Sequence, residues 1–168
     1  MNLSPEIIYE DQDVLVINKP AGLAVHSDGR KAELTLADWV VGRHPAVVEV
    51  GEPAILPDGR VIARPGIVHR LDRDTSGVMI IALNQKSFFW LKRQFKERKA
   101  EKTYRVIVLG RFADEVGEKI IDLPIGRSPK DPRVRVASRK AASTLREAET
   151  TYRVLETLGE YSYVEASP

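Results

Sequence analysis

The feature that most constrains this chain is an unbroken apolar run that directly follows a polar, charged loop. The run is Val78 to Leu83, six apolar residues, and the loop is His69 to Gly77. A short apolar run that follows a glycine and has the length of a strand is typical of a buried β-strand. Ionisable side chains are therefore predicted at the end of a core strand, where loops held by a rigid scaffold commonly contain binding and catalytic residues.

The same loop also has a purely structural interpretation. Asp and Ser side chains accept hydrogen bonds from nearby backbone N–H groups, so Asp72, Asp74 and Ser76 can belong to ordinary turns. Arg70 and Arg73 would then form ion pairs with the loop carboxylates at the surface. The residue types alone do not decide between a reactive loop and an ion-paired one.

Most other apolar segments have the length and pattern of strands, and two segments favour helices. The helices are Leu36 to about His44, with Thr35 as N-cap, and a segment from the N-cap Asn84 to about Lys99. Strand-like runs cover residues 7–9, 14–17, 104–109, 119–123, 148–155 and 161–165. This count predicts the α+β class, with a mixed, mainly antiparallel central sheet and few flanking helices.

Basic residues are concentrated in the second part of the chain. Residues 1–60 contain 5 Lys/Arg against 10 Asp/Glu, whereas residues 61–168 contain 21 against 14, although the net charge is only +2. The second predicted helix has an apolar face at Phe88, Leu91 and Phe95, and its other side is basic: Lys92, Arg93, Lys96, Arg98 and Lys99. Such a face is typical of contact with a polyanion, and a merely solvated surface is the alternative.

Composition excludes several classes of protein. The chain has no Cys, so disulfides and thiolate chemistry are excluded, and its three His residues are far apart, which argues against a metal site. No apolar run approaches the roughly 18 residues of a membrane helix, and the N-terminus lacks a signal pattern. The 168 residues therefore predict one cytoplasmic domain with no membrane partner.

Three motifs of this chain resemble motifs of one family and occur in the same order as in that family. His69-Arg70-Leu71-Asp72-Arg73-Asp74-Thr75-Ser76-Gly77 is similar to the active-site signature of the RluA-like pseudouridine synthases, which isomerise uridine in RNA. The segment from Tyr9 to His26, with Lys19-Pro20-Ala21-Gly22, resembles the opening strand and loop of that family. Lys102-Thr103-Tyr104 resembles its second motif, a Lys-x-Tyr.

The resemblance implies a synthase that acts on structured RNA, ribosomal or transfer RNA, without a metal or other cofactor. Asp72 would be the catalytic carboxylate, and Tyr104 would stack against the target base. Arg70, assisted by His69, would fill the space that the extruded base leaves in the RNA helix. Five basic residues would contact the RNA: Lys92, Lys96, Lys99, Arg133 and Arg135.

The resemblance extends from about residue 8 to residue 166 and predicts no accessory RNA-binding domain before it. After a strand like Tyr161–Glu165 the family continues through a basic segment that pairs with the catalytic Asp, whereas here only Ala166, Ser167 and Pro168 follow. Residues 1–168 are thus expected to form a catalytic domain that lacks its C-terminal part. Without that partner Asp72 would be an unpaired buried carboxylate, so we expect little activity and self-association through open sheet edges.

Two functions from other classes also fit the residues. The first is a non-catalytic RNA-binding domain that retains the synthase fold. The second is a nucleoside or N-glycosidic hydrolase that uses Asp72 on a small molecule, against which the basic helix and the basic segment at Arg133 and Arg135 both argue.

Overall fold

A computed structural model describes residues 3–27, 33–55, 59, 61–112, 117–131, 134–137 and 145–168. The chain divides into two compact units, Met1–Ala100 (unit 1) and Glu101–Pro168 (unit 2). Every strand pair in the described residues is antiparallel, and the two α-helices lie in unit 1, so the predicted α+β class is confirmed. No helix in these residues is both long enough and apolar enough to cross a bilayer.

The elements of unit 1, in chain order, are strands β1 (Glu6–Glu10) and β2 (Val14–Lys19), helix α1 (Leu36–Arg43), a 3₁₀ helix (Pro45–Glu49), strands β3 (Ala54–Ile55), β4 (Val61–Ile62) and β5 (Gly77–Ala82), and helix α2 (Gln85–Lys96). Strands β1, β2 and β5 form a three-stranded sheet in that order, and β3 pairs with β4. Strand β2 is the central strand, which fits the apolar run that makes up its first four residues.

Most of the fully buried side chains of β2 and β5 lie on one face of this sheet. Leu15 and Ile17 of β2 and Met79 and Ile81 of β5 are fully buried. Val78 in the same apolar run is 63% exposed, whereas Ala82 on the same face is fully buried and packs with Phe88 and Leu91 of α2, so the second face is covered only toward the end of the strand. Side chains alternate between the two faces of a strand, and an all-apolar run does not show whether a second layer covers the other face.

Helix α1 begins where the sequence predicts, at a capping box. The Thr35 hydroxyl accepts a hydrogen bond from the Asp38 N–H at 3.3 Å, and the Asp38 carboxylate accepts one from the Thr35 N–H at 2.9 Å. These reciprocal bonds satisfy backbone donors that the first turn leaves open. The helix ends at Arg43, and Pro45 opens the following 3₁₀ helix.

Helix α2 begins as predicted but ends earlier than predicted. The Asn84 side chain caps its first turn at 3.0 Å. The last helical residue is Lys96, not Lys99, because Arg98 has a φ of 56° and the Lys99 N–H bonds back to the Gln94 carbonyl at 2.9 Å. This left-handed ending normally has a glycine, so an arginine there gives no signal in the sequence.

Unit 2 consists of strands β6 (Tyr104–Leu109), β7 (Glu118–Asp122), β8 (Ile125–Arg127), β9 (Arg135–Ala137), β10 (Glu149–Leu158) and β11 (Tyr161–Ser167). Four of them form a sheet in the order β6-β11-β10-β7, and β8 pairs with β9. The predicted strands are thus present, but they are distributed over separate sheets in two units instead of one central sheet. Pairing between distant strands has no local signal in the sequence.

Candidate active site

The signature loop follows a backbone segment that is packed closely against β5. The Gly66 N–H donates to the Val50 carbonyl at 2.8 Å, and the Gly66 carbonyl accepts from the Ala82 N–H at 3.0 Å. Gly66 has a φ of +66°, and a Cβ there would lie 2.2 Å from the Ala82 carbonyl oxygen. Only glycine fits this approach, which fixes where the chain enters the loop.

His69 fastens the start of the loop to both β5 and α2. Its Nε2 accepts a hydrogen bond from the Ile80 N–H at 3.1 Å. Its ring stacks on Phe95, with 4.4 Å between ring centroids and 18° between ring planes. Because a backbone N–H can only donate, Nε2 carries no proton in this arrangement. The geometry supports a positioning role, and the assistance of His69 in base extrusion stays a prediction.

Lys19 connects the signature loop to the loop that follows β2. The side chain is fully buried, and burial lowers its pKa. Its Nζ donates hydrogen bonds to three carbonyl oxygens, those of Pro20 at 2.9 Å, Leu23 at 2.8 Å and Arg73 at 3.0 Å. The Arg73 carbonyl also accepts from the Gly22 N–H at 2.9 Å. The Lys19 ammonium group therefore holds together the loop that follows β2 and the signature loop.

Lys19 belongs to the Lys19-Pro20-Ala21-Gly22 motif, but the sequence alone did not predict a role for its side chain. A signal was present, because Leu15, Ile17 and Lys19 share one face of β2 by the two-residue period of a strand. The lysine therefore falls on the buried face, where a charged group needs hydrogen-bond partners. The carbonyl groups of the adjacent turns supply them.

Asp72 lies at the surface in a turn of the signature loop. Its side chain is 87% exposed, and its Oδ1 lies 3.8 Å from Nη2 of Arg70. The Asp72 carbonyl accepts from the Thr75 N–H at 3.2 Å, which closes the turn. The expectation of a buried, unpaired carboxylate is wrong, because the turn directs this side chain into solvent.

Arg73 forms an ion pair, as the structural interpretation of the loop expects, but with a carboxylate outside the loop. Its guanidinium forms an ion pair with Glu33, which includes a hydrogen bond of 2.8 Å from Nη1 to Oε2. Glu33 lies outside the loop, in the segment before α1. Arg73 thus anchors the loop, which leaves Arg70 as the arginine beside Asp72.

Sequence reasoning missed two residues near Arg70, namely His26 and Arg64. Nη1 of Arg70 lies 3.5 Å from Nε2 of His26, whose Nδ1 donates to the Ser27 carbonyl at 3.2 Å. The pKa of His26 is lowered by burial and then by the positive charges of Arg64 and Arg70. Neither residue belongs to the signature, so only the structure brings them to attention.

The three predicted lysines of α2 have different surroundings. Lys92 forms an ion pair with Glu52, and its Nζ lies 5.8 Å from the centroid of the Phe88 ring. Lys99 lies beyond the helix, and its Nζ is 2.7 Å from a carboxylate oxygen of Glu97. Lys96 is exposed. Contact of these lysines with RNA stays a prediction.

The remaining predicted site residues belong to unit 2. Tyr104 is half-buried at the first position of β6 and pairs with Ala166 of β11. Arg135 is exposed at the start of β9, opposite Arg127 of β8. Arg133 lies outside the described residues. A pocket shared by Tyr104 and Asp72 stays a prediction, since the two residues lie in different units.

Comparison with known proteins identifies the family. The model of the RNA pseudouridylate synthase family matches residues 13–168. An uncharacterized RNA pseudouridine synthase of Aquifex aeolicus is 41% identical over 160 residues, covering 95% of this chain and 46% of the relative. The ribosomal large subunit pseudouridine synthase C of Vibrio cholerae is 33% identical over 162 residues, covering 96% and 44%.

Solved structures agree. Human RNA pseudouridylate synthase domain containing 4 superposes with a TM-score of 0.66 at 26% identity, covering 97% of this chain and 58% of that one. Human RNA pseudouridylate synthase domain containing 1 shares the fold, with a TM-score of 0.71. The chain therefore belongs to the RluA-like RNA pseudouridine synthases. It spans about half the length of the curated relatives that it matches.

Proposed function

We propose that this protein isomerises specific uridines to pseudouridine in structured RNA, ribosomal or transfer RNA, with Asp72 as the catalytic carboxylate. The observation that supports this most is the position of Asp72. Its exposed carboxylate stands at the end of a core strand, in a loop held by Lys19 and His69, within the signature of the family. A fixed backbone below an accessible carboxylate suits a group that must reach a nucleotide.

The reaction needs no net input of atoms or electrons. The bond between N1 of uracil and C1′ of ribose breaks, the base turns, and a bond forms between C5 and C1′. The proton on C5 leaves, and N1 gains a proton. Asp72 can add to the sugar, add to the uracil ring or remove a proton, and all three routes use the same anionic oxygen.

Other residues have supporting roles in this proposal. The target base must leave the RNA stack before a carboxylate can reach its sugar, at a cost of a few kcal/mol. Arg70 is exposed beside Asp72, and its guanidinium can stack in the vacated space. Tyr104 would stack on the extruded base, and Lys92, Lys96, Lys99, Arg133 and Arg135 would contact the RNA backbone.

The deciding experiment measures tritium release from ribosomal and transfer RNA transcripts labelled with tritium at C5 of uridine. Release is expected with the intact carboxylate and is expected to vanish in Asp72→Asn, which retains the side-chain volume but not the charge. Asp74→Asn is the matched control, because it removes the same charge from the same loop, and it should retain most of the activity.

The other outcomes separate the alternatives. RNA binding without tritium release from any version of the protein would indicate a non-catalytic RNA-binding domain, and free uracil in the products would indicate a hydrolase. The assay is run on residues 1–168 beside a longer chain that continues as the relatives do. We propose that the longer chain is the more active one, and equal rates would contradict this part of the proposal.

A further inference from the structure

The outer face of helix α2 combines aromatic rings with positive charge. Its members are the five exposed residues of the helix, which lie on one side of it: Lys86, Phe89, Trp90, Arg93 and Lys96. Phe89 and Trp90 are 53% and 55% exposed, although aromatic side chains of this size are mostly buried in folded proteins. Each ring has Lys86 three or four positions before it and Arg93 three or four positions after it, so cations border the rings at both ends.

The opposite side of α2 is fastened to the rest of unit 1. Phe88 and Leu91 are buried in the core. Phe95 stacks on His69 of the signature loop, with 4.4 Å between ring centroids. The ring of Phe88 also meets the ring of Phe89 edge to face, with 5.7 Å between centroids and 70° between planes. The outer face of α2 therefore has a fixed position relative to the signature loop.

The cations of the outer face are not paired with carboxylates. Helix α2 contains no Asp or Glu. Within the described part of the chain, the three cations of the outer face form no ion pair, whereas Lys92 on the side of the helix pairs with Glu52. Glu97, the acidic residue that follows the helix, pairs with Lys99. The outer face is therefore complementary in charge to a polyanion.

Aromatic rings bordered by cations suit an unpaired nucleotide. Bases stack on exposed aromatic side chains, and basic residues beside the rings contact the phosphates on either side of the base. A second protein fits less well, because the centre of a protein interface is normally depleted of charge, whereas Lys86 and Arg93 adjoin the rings. A second copy of this chain would also place like charges opposite each other.

We propose that Phe89 and Trp90 bind one unpaired base of the RNA by stacking, and that the three cations of the outer face bind the phosphates beside it. This inference rests on the proposed function for its choice of RNA as the partner. The base is not the target uridine, because the outer face lies on the opposite side of α2 from Phe95 and His69. Recognition would therefore depend on a second, unpaired nucleotide of the substrate.

The test measures the affinity of the chain for a labelled single-stranded RNA and for a fully paired RNA duplex at several salt concentrations. Trp90→Ala is expected to weaken binding of the single strand by about fivefold or more, because the stacking of one base is lost. The slope of log K against log salt should not change, since no charge is removed. Trp90→Phe should retain most of the affinity. Binding of the duplex should be unaffected, because a duplex offers no unpaired base.

Two further variants separate stacking from charge and from exposure. Arg93→Gln should reduce the salt slope for the single strand by about 0.7, the value expected for one lost phosphate contact. Tyr9→Ala is the matched control, because Tyr9 on β1 is also 53% exposed. The Tyr9 hydroxyl donates to the Asp11 carboxylate at 2.8 Å, so this ring lies beside negative charge. Its loss should leave the affinity for both RNAs unchanged.

A different role for the outer face would give a different pattern. Unchanged affinity of Trp90→Ala for the single strand would overturn the proposal, and weaker self-association of that variant in sedimentation would then assign the outer face to contact between copies of this chain. An equal loss of affinity for strand and duplex would also overturn it, because stacking of an unpaired base distinguishes the two RNAs. The Tm of Trp90→Ala should equal that of the wild-type chain, since an exposed ring leaves no cavity.

These binding measurements do not depend on turnover. Weaker single-strand binding by Trp90→Ala, without tritium release from the wild-type protein, would support the stacking site and reject the catalytic proposal. Tritium release from the wild-type protein, with unchanged binding by Trp90→Ala, would do the reverse.

Discussion

The strands of the two units differ in how far their apolar side chains are buried. In unit 1, strands β2 and β5 enclose a core together with α1 and α2, and nearly all buried apolar side chains in the described residues lie there. In unit 2, Val164 is buried, whereas Ile107, Leu109 and Ile120 are 63%, 76% and 64% exposed. Strands whose side chains alternate with a two-residue period can pair into a sheet. A buried core forms only where a second layer of structure covers one face of that sheet.

This difference explains why the candidate site has a defined geometry in unit 1. The loops of unit 1 are fixed from below by buried strands, and they hold His69, Arg70 and Asp72 in defined positions. Unit 2 presents apolar residues to solvent on its four-stranded sheet, and surfaces of this kind usually pack against other protein. Self-association through that sheet stays a prediction, and the comparison of the two units can be tested by matched substitutions.

The largest difference is expected between two glycines that have almost the same φ. Gly66 in unit 1 has a φ of +66° and Gly159 in unit 2 has a φ of +64°. An alanine Cβ at residue 66 would lie 2.2 Å from a carbonyl oxygen, whereas nothing lies within 4 Å at residue 159. Gly66→Ala should therefore cost about 3–5 kcal/mol through strain and overpacking, and Gly159→Ala only about 1–2 kcal/mol through strain.

Urea unfolding checks this prediction, and the chain offers a useful probe. Its two tryptophans, Trp39 and Trp90, both lie in unit 1, so their fluorescence follows that unit. Amide exchange of β10 and β11 follows the surroundings of Gly159. Similar costs for the two substitutions would mean that the region around Gly66 relaxes easily and that the core of unit 1 is not rigid.

The next largest effect is expected at matched isoleucines. Ile81 in β5 is fully buried, and Ile107 in β6 is 63% exposed. Ile81→Ala should lower the free energy of unfolding by about 2–5 kcal/mol, because it removes buried methyl groups and leaves a cavity. Ile107→Ala should cost less than about 1 kcal/mol, mainly through lower strand propensity. A large cost at Ile107, measured by the same unfolding curves and by amide exchange in β6, would show that its face is covered in solution.

The smallest effect concerns the polar contacts of unit 2. Glu165 on β11 accepts from Arg105 at 2.7 Å and from Arg153 at 2.8 Å, which links β6, β11 and β10. Glu165→Gln should cost about 0.5–1 kcal/mol, and salt should reduce the difference from wild type. Glu156→Gln, an exposed position on β10, is the matched control and should have almost no effect. Equal amide-exchange rates in the two variants would show that these ion pairs do not stabilise unit 2.

Local physics in the sequence predicts much of this structure, and its failures have definite causes. Thr35 and Asn84 cap helices because their side-chain oxygens accept from the first turn, and this preference is visible in one sequence. The early end of α2 is not visible, because Arg98 occupies a conformation that glycine usually takes. The division of the strands into two units is also not visible, because it depends on pairings between distant segments.

The candidate site shows the same limit. The loop from His69 to Gly77 and its position before β5 could be predicted from charge and apolar pattern. The exposure of Asp72 could not, because it depends on how one turn is oriented. The groups near Arg70 could not be found either, since His26 and Arg64 lie 44 and 6 positions away from it in the chain.

The contact between Lys19 and Arg73 has a consequence for the order of events during folding. It joins groups 54 positions apart, and closing so long a loop is unfavourable until other contacts hold the ends together. Those contacts are the pairs between β2 and β5, which end at Lys19 and Gly77. The ammonium can therefore meet its third carbonyl only after the two strands are in register. A chain that has paired β2 with β1 alone contains all the residues of the signature loop, but that loop is not yet held in place.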